Sequence, residues 1–170
     1  MKVSLLFPPT WHPSQPYLSL PSLTGFLAQG GVTNVSQRDL GIELLDRVVT
    51  QSYGVSLYQE LVDKQKSLER QRTGEIGPGS DEHLARVVES LDRFPYLIDR
   101  IEPAKETLRG EGFYDLESYK ESLFLIDKWL EVLSTLYFPT RLTVVDNQFG
   151  NCSIYSSKDL MKIIRDEAQN

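Results

Sequence analysis

Apolar positions in the first forty residues change from a period of two to a helical period and back again. Residues 3–7 alternate apolar side chains, which predicts a buried strand, and the Pro8-Pro9 pair ends it because proline has no N–H to donate. A helix that stops at Gly30-Gly31 is predicted by an apolar stripe made of Leu20, Leu23, Phe26 and Leu27. Residues 35–39 then predict a second strand. Strand, helix and strand in this order indicate a βαβ unit with two parallel strands.

A helical period begins at Ile42 and continues as far as Tyr137. Gly54 is expected to mark a break or bend between two helices of this stretch, because glycine weakens a helix interior. Asp115 is expected to cap the longest helix, since aspartate is a favoured residue at a helix start. His83 falls near the start of another predicted helix and is expected to be exposed.

The predicted fold class is α/β, with a small parallel sheet in a partial Rossmann-like or flavodoxin-like arrangement and a large helical insertion or subdomain. Residues 42–139 are assigned to the helical subdomain. Residues 1–41 are assigned to the βα unit together with residues from about 140 to 170, where a strand or extended segment is predicted by Leu142, Val144 and Val145. Two or three strands are too few for a self-sufficient doubly wound sheet. Either the helices cover the small sheet, or the chain is the front part of a larger, truncated domain.

Composition narrows the classes of partner. The chain has 170 residues with 18 Lys and Arg against 24 Asp and Glu, and the resulting net charge of −6 disfavours binding to nucleic acid or to an anionic membrane surface. Residues 1–7 are too short for a signal peptide core, and no later apolar run reaches the length that spans a bilayer. Cys152 is the only cysteine, so no disulfide framework or cysteine metal cluster is expected in this stretch. The predicted location is cytoplasmic.

The segment that leaves the first predicted strand holds most of the candidate site. Ligands of open α/β sheets bind outside the carboxyl ends of the strands, and this segment starts at such an end. Prolines within it lower the entropy lost when it becomes ordered. The candidate cofactor-binding residues are Pro9, Thr10, Trp11, His12 and Tyr17 in this segment, with Asp39 at the end of the second strand.

Each candidate has a structural alternative. His12 is a candidate cobalt ligand, hydrogen-bond donor or general acid or base, or else a loop histidine bonded to its own backbone. Trp11 and Tyr17 either stack on a flat ligand or cap the open end of the sheet. Asp39 occupies a position where α/β sites place an acid for a ribose hydroxyl, but no GxGxxG motif precedes it, and the alternative is a helix cap or turn.

Residues 1–50 resemble the amino-terminal segment of cobalamin-binding radical SAM proteins. Such proteins open with a strand, a Pro-Pro turn, a loop of aromatic residues and prolines, a leucine-rich helix, a glycine near the helix end, and a second strand that ends in aspartate. The matching features here are Val3 to Phe7, Pro8-Pro9, Trp11 to Pro16, Leu18 to Leu27, Gly30-Gly31 and Asp39.

The resemblance implies a cobalamin (B12)-binding portion that is not catalytic by itself. In the parent enzyme it implies cleavage of S-adenosylmethionine at a 4Fe–4S cluster, with the remainder of the parent chain as the partner of this segment. The cluster motif CxxxCxxC is missing from this stretch, so these 170 residues cannot hold the cluster themselves. A DxHxxG motif is also missing, because no aspartate lies two positions before His12.

Two other functions are consistent with the pattern. One is a non-catalytic helical interaction or dimerisation module, in which the long amphipathic helices bind a partner protein, a peptide or a second copy of the chain. The other is a small hydrolase that uses His12 and Asp39, which requires the two side chains to lie within hydrogen-bonding distance.

Overall fold

The computed structural model describes residues 2–7, 18–72, 79–143, 147–148, 156–158 and 161. The chain divides into two compact units, Met1–Val48 and Val49–Asn170. It is mostly helical and has a small parallel two-stranded sheet, which is the coarse architecture expected of an α/β fold with a large helical part. None of the helices in the described ranges combines the length and apolar character needed to cross a bilayer.

The first unit contains the predicted βαβ arrangement. It consists of strand β1 (Val3–Phe7), helix α1 (Ser19–Gln29), strand β2 (Val35–Asp39) and helix α2 (Leu40–Val48). β1 and β2 pair in parallel, as predicted, with Val3 opposite Val35 and Phe7 opposite Asp39. Both helices contact both strands, so α2 belongs to this unit although the sequence placed the domain boundary at residue 41.

The apolar stripe predicted for α1 is only partly used. Leu20 is buried, but Leu23 is 49% and Phe26 is 73% exposed. After α1 the chain turns at Gly31, whose φ of 79° lies in the left-handed region that favours glycine. The predicted stop of the helix at Gly30-Gly31 is confirmed, since α1 ends one residue before Gly30.

The second unit is a helical assembly. It contains α3 (Gln51–Arg72), α4 (Gly79–Ile98), α5 (Ile101–Arg109), a short 3₁₀ helix (Glu111–Tyr114), α6 (Leu116–Leu136), and two-residue strands β3 (Arg141–Leu142) and β4 (Asn147–Gln148). Its core is built from α3, α4, α5 and α6, and its fully buried large side chains are Leu57, Leu61, Val87, Ile101, Trp129 and Val132.

Gly54 lies where α3 packs closely against aromatic side chains of the core of the second unit. A break or bend was predicted at Gly54, and a break there is wrong, because α3 continues through Gly54 and the interruption after α2 lies at residues 49–50. A Cβ at Gly54 would lie 2.5 Å from Cη2 of Trp129 and 3.2 Å from Cζ of Phe94. The residue is therefore a point of close approach between α3 and two aromatic rings.

The longest predicted stretch is capped as expected. Asp115 Oδ2 accepts a hydrogen bond from the backbone N–H of Ser118 at 2.9 Å at the start of α6. Beyond the other end of α6, the N–H of Leu142 donates to Ser134 Oγ at 2.7 Å. β3 pairs with β4 in an antiparallel manner and contacts α6, whereas the sequence had grouped residues from about 140 onwards with residues 1–41.

Candidate functional site

The carboxyl ends of β1 and β2 form the edge at which the sequence places a ligand. Phe7 and Asp39 are the last residues of the two strands and pair directly with each other. The parallel register therefore places Phe7, the last described residue before the predicted binding segment, directly opposite Asp39.

Asp39 acts as a helix cap in this arrangement. Its Oδ1 accepts hydrogen bonds from the backbone N–H groups of Gly41 at 2.9 Å and Ile42 at 3.1 Å. These donors belong to the first turn of α2, which has no intrahelical partners for them. Of the two interpretations of Asp39, the described contacts are those of a cap, and they fix the start of α2 at the edge of the sheet.

An ion pair beside Asp39 strengthens the same helix start. Nε of Arg38 donates to Glu43 Oε1 at 2.9 Å, and a second nitrogen of Arg38 pairs with the other oxygen of Glu43. The hydrogen bond from Arg38 lowers the pKa of Glu43, and the same contact raises the pKa of Arg38. Both side chains remain largely exposed, so solvent screens the pair and it adds little stability. The positive charge of Arg38 is therefore balanced by Glu43 at this edge.

The remaining candidates lie outside the described residues. They are Pro9, Thr10, Trp11, His12 and Tyr17. Cys152 and the predicted extended segment at residues 144–146 also lie outside them. The described residues contain no group of three His, Cys, Asp or Glu side chains that could hold a metal ion. Within the described part of the chain, the site consists of the strand edge and the capped helix.

His83 is buried, and its predicted exposure is wrong. The side chain is only 7% exposed because the end of α6 and the following Phe138 cover it. Nε2 of His83 lies 2.7 Å from the carbonyl oxygen of Thr135, which can only accept, so Nε2 carries the proton and donates. Burial lowers the pKa of His83, and the charges of Lys64 and Arg86 act in the same direction. The ring is a structural link between α4 and α6.

A polar cavity of about 780 Å³ lies next to this link, between α4 and the end of α6. Two of the three arginines that line it are already paired, as Arg86 lies 2.9 Å from Glu82 and Arg93 lies 2.5 Å from Glu89. The third, Arg141, is exposed, and its charge acts on Glu131, which also pairs with Lys128 at 2.6 Å. A ligand anion would compete with these carboxylates, so the cavity is a weaker candidate than the strand edge.

The ionisation of Glu131 follows from the same arrangement. Burial disfavours the charged form, but the hydrogen bond from Lys128 and the charges of Lys128, Arg93 and Arg141 hold its pKa below the ordinary value. The sequence analysis did not identify this cavity. The sequence feature that could have indicated it is the i, i+4 spacing of Glu82 with Arg86 and of Glu89 with Arg93. In the structure these side chains line the cavity together with residues at the end of α6.

Comparison of the chain with protein-family models, with curated proteins and with solved structures gives no match. The resemblance of residues 1–50 to cobalamin-binding radical SAM proteins therefore stays a prediction from the residues.

Proposed function

We propose that the chain forms the front portion of a cobalamin-type cofactor-binding domain of a B12-dependent radical SAM enzyme, with a helical subdomain added. The observation that carries the proposal is the parallel pairing of β1 and β2, which ends at Phe7 and Asp39. This pairing is what a partial Rossmann-like or flavodoxin-like sheet requires, and the ligand of such a sheet lies outside the paired carboxyl ends.

The cap at Asp39 supports the same arrangement. Its two hydrogen bonds hold the first turn of α2 directly after β2, so this helix begins beside the strand ends. Its Oδ1 is committed to two backbone donors, so the role proposed for Asp39 is to shape the edge, and contact with the cofactor falls to other residues. The residues proposed to hold the cofactor are Pro9, Thr10, Trp11, His12 and Tyr17.

Cobalamin, when bound, would supply cobalt-centred chemistry such as methyl transfer. What this chain would contribute is a wall for the flat corrin ring, with Trp11 and Tyr17 available for stacking and His12 for hydrogen bonding or ligation. S-adenosylmethionine and the 4Fe–4S cluster belong to the parent enzyme in this proposal, because Cys152 alone cannot bind a cluster. The partner is then the remainder of the parent chain, and the proposed location is cytoplasmic.

The proposal is tested by titrating the 170-residue chain with hydroxocobalamin while the corrin absorbance is recorded. We expect a saturable change in the corrin bands. Tyr17→Ala is expected to weaken binding by about two- to tenfold, which is the value of one aromatic stacking contact. Tyr114→Ala, in the 3₁₀ helix of the other unit, is the matched control and should bind as the unchanged chain does.

The spectrum also separates the roles of His12. If His12 coordinates cobalt, His12→Ala changes the position of the corrin bands at saturation, and if it only donates a hydrogen bond the bands stay and the affinity falls. A chain that is helical by circular dichroism and leaves the corrin spectrum unchanged at high concentration would refute cofactor binding by these residues.

A further inference from the structure

Strand β1 has two edges, and within the described residues only one of them is paired. β2 occupies one edge, and no strand of the described ranges occupies the other. The N–H of Val3 donates to the carbonyl oxygen of Asn34 at 3.0 Å, and in a parallel ladder alternate residues of a strand bond to the same neighbour. The backbone N–H and C=O groups of Ser4 and Leu6 therefore point away from β2. We call the side of β1 that carries these groups the outer edge of β1.

The two strands of this sheet differ in their suitability as edges. β2 carries Ser36, Gln37 and Arg38, and polar or charged side chains are a common protection of a sheet edge. β1 has the sequence VSLLF without a charge, a proline or a glycine, and Leu6 is 58% exposed. A strand with apolar residues on both faces is typical of the interior of a sheet, and a sheet of two strands is only marginally stable. The outer edge of β1 is therefore suited to accept a further strand.

A second copy of β1 matches this edge in an antiparallel register. When Ser4 of one copy lies opposite Leu6 of the other, each such pair exchanges two N–H···O=C hydrogen bonds, and every outward backbone group of the two residues has a partner. The twofold axis then passes between the two Leu5 residues. On one face, Val3, Leu5 and Phe7 of one copy meet Phe7, Leu5 and Val3 of the other, so apolar side chains lie opposite apolar side chains.

Other antiparallel registers are less favourable. A shift in one direction places Lys2 opposite Leu6, and the equivalent shift in the other direction places Ser4 opposite Pro8, which has no N–H to donate. A shift by a single residue sets the outward groups of one copy against residues whose backbone groups already bond to β2. The sequence of β1 is thus self-complementary in one register.

The charge of the first unit does not oppose pairing of two copies. Residues 1–48 carry three basic and three acidic side chains, so the net charge of −6 belongs to residues 49–170. The charged residues of the first unit are Lys2, Arg38 and Arg47, and Asp39, Glu43 and Asp46. Two copies that meet through the first unit therefore bring no net like charge together, whereas copies that meet through the acidic helical unit do.

We propose that the chain forms a homodimer through the outer edge of β1. In this dimer β1 of each copy pairs antiparallel with β1 of the other, and the two sheets join into one sheet with the strand order β2-β1-β1-β2. The interface lies wholly within the first unit and does not depend on cofactor binding. The dimer is weak, with a dissociation constant on the order of 100 μM, because strands of this length bury little surface.

Sedimentation of the 170-residue chain over a series of concentrations tests the proposal. The average mass should rise from that of a monomer towards that of a dimer. Leu6→Pro removes the N–H that donates to Ser4 of the other copy but none of the bonds to β2, and it should raise the dissociation constant at least about tenfold. Leu6→Lys keeps the N–H and places a charge at the edge, and it should raise the dissociation constant about three- to tenfold.

Gln37→Pro and Gln37→Lys are the matched controls on β2. Gln37 is exposed and lies opposite Leu5, so by the same alternation its N–H points away from β1. Both controls should dimerise as the unchanged chain does. Where far-UV circular dichroism shows that Leu6→Pro has lost structure, the comparison of Leu6→Lys with Gln37→Lys decides. A chain that stays monomeric at the highest concentration would overturn the proposal. A dimer that the substitutions at Leu6 and Gln37 weaken equally, or not at all, would overturn it as well, because its interface would then lie elsewhere.

Discussion

Gly54→Ala is the substitution whose sign is decided by the packing of the second unit. Two effects oppose each other. Alanine is favoured over glycine in a helix interior by about 1 kcal/mol, and Gly54 lies inside α3. Against this, the new Cβ would lie 2.5 Å from Cη2 of Trp129, where two carbons are in optimal contact at about 3.5–4.0 Å.

The steric effect should win because Trp129 has no room to move. Its side chain is fully buried, and its ring packs against Phe94 with the ring centroids 5.6 Å apart. Overpacking of this kind costs about 1–3 kcal/mol, so the free energy of unfolding should fall by up to about 2 kcal/mol after the gain in helix propensity.

Urea denaturation followed by far-UV circular dichroism measures the change. Gly25→Ala is the matched control, since Gly25 lies inside α1 and a Cβ there would meet no atom within 4 Å. That substitution should be stabilising by about 0.5–1 kcal/mol. Trp129→Phe removes the clashing atom, so the double variant should show a smaller loss than the sum of the two single variants. A Gly54→Ala chain stabilised as much as Gly25→Ala would refute the packing argument.

Two further predictions concern the cap and the buried histidine. Asp39→Ala should lower the free energy of unfolding by about 1 kcal/mol in urea denaturation, whereas Asp39→Asn keeps an acceptor for the first turn of α2 and should cost much less; equal losses would contradict the cap. Because the folded protein holds the pKa of His83 below 6.5, the unfolded chain binds this proton more readily, and stability should fall as the pH is lowered below 6.5. His83→Gln should reduce this pH dependence in denaturation curves recorded between pH 7.5 and about 5, and an unchanged slope would contradict it.

Local signals explain what the sequence could predict. The alternation in residues 3–7 and the Pro8-Pro9 pair were enough for the first strand, because sheet periodicity and a missing N–H act within a few residues. The cap at Asp115 is equally local, since its hydrogen bond reaches only to Ser118. The parallel register of β1 and β2 follows from these elements, because a short helical crossover returns the chain in the same direction.

The errors arose where a residue's partner is distant in sequence. In the sequence His83 is a polar residue near a helix start, for which exposure is the simplest prediction. In the structure it lies four residues before Val87 on the buried side of α4 and donates a hydrogen bond to the carbonyl oxygen of Thr135 on α6. Gly54 reads as a helix breaker, yet its role depends on Trp129, 75 positions later. A sequence pattern gives the spacing of a stripe and leaves open which other element covers it.

That limit bears most directly on α4, whose sequence holds three helical stripes. The stripe with Val87 is buried in the core, the stripe with Arg86 and Arg93 faces the polar cavity, and Val88 is 39% exposed. In sequence Val87 and Val88 are neighbours of the same residue type, so their apolar character alone does not tell which of them is buried. Only the packing of α3 and α6 on one side separates core from surface.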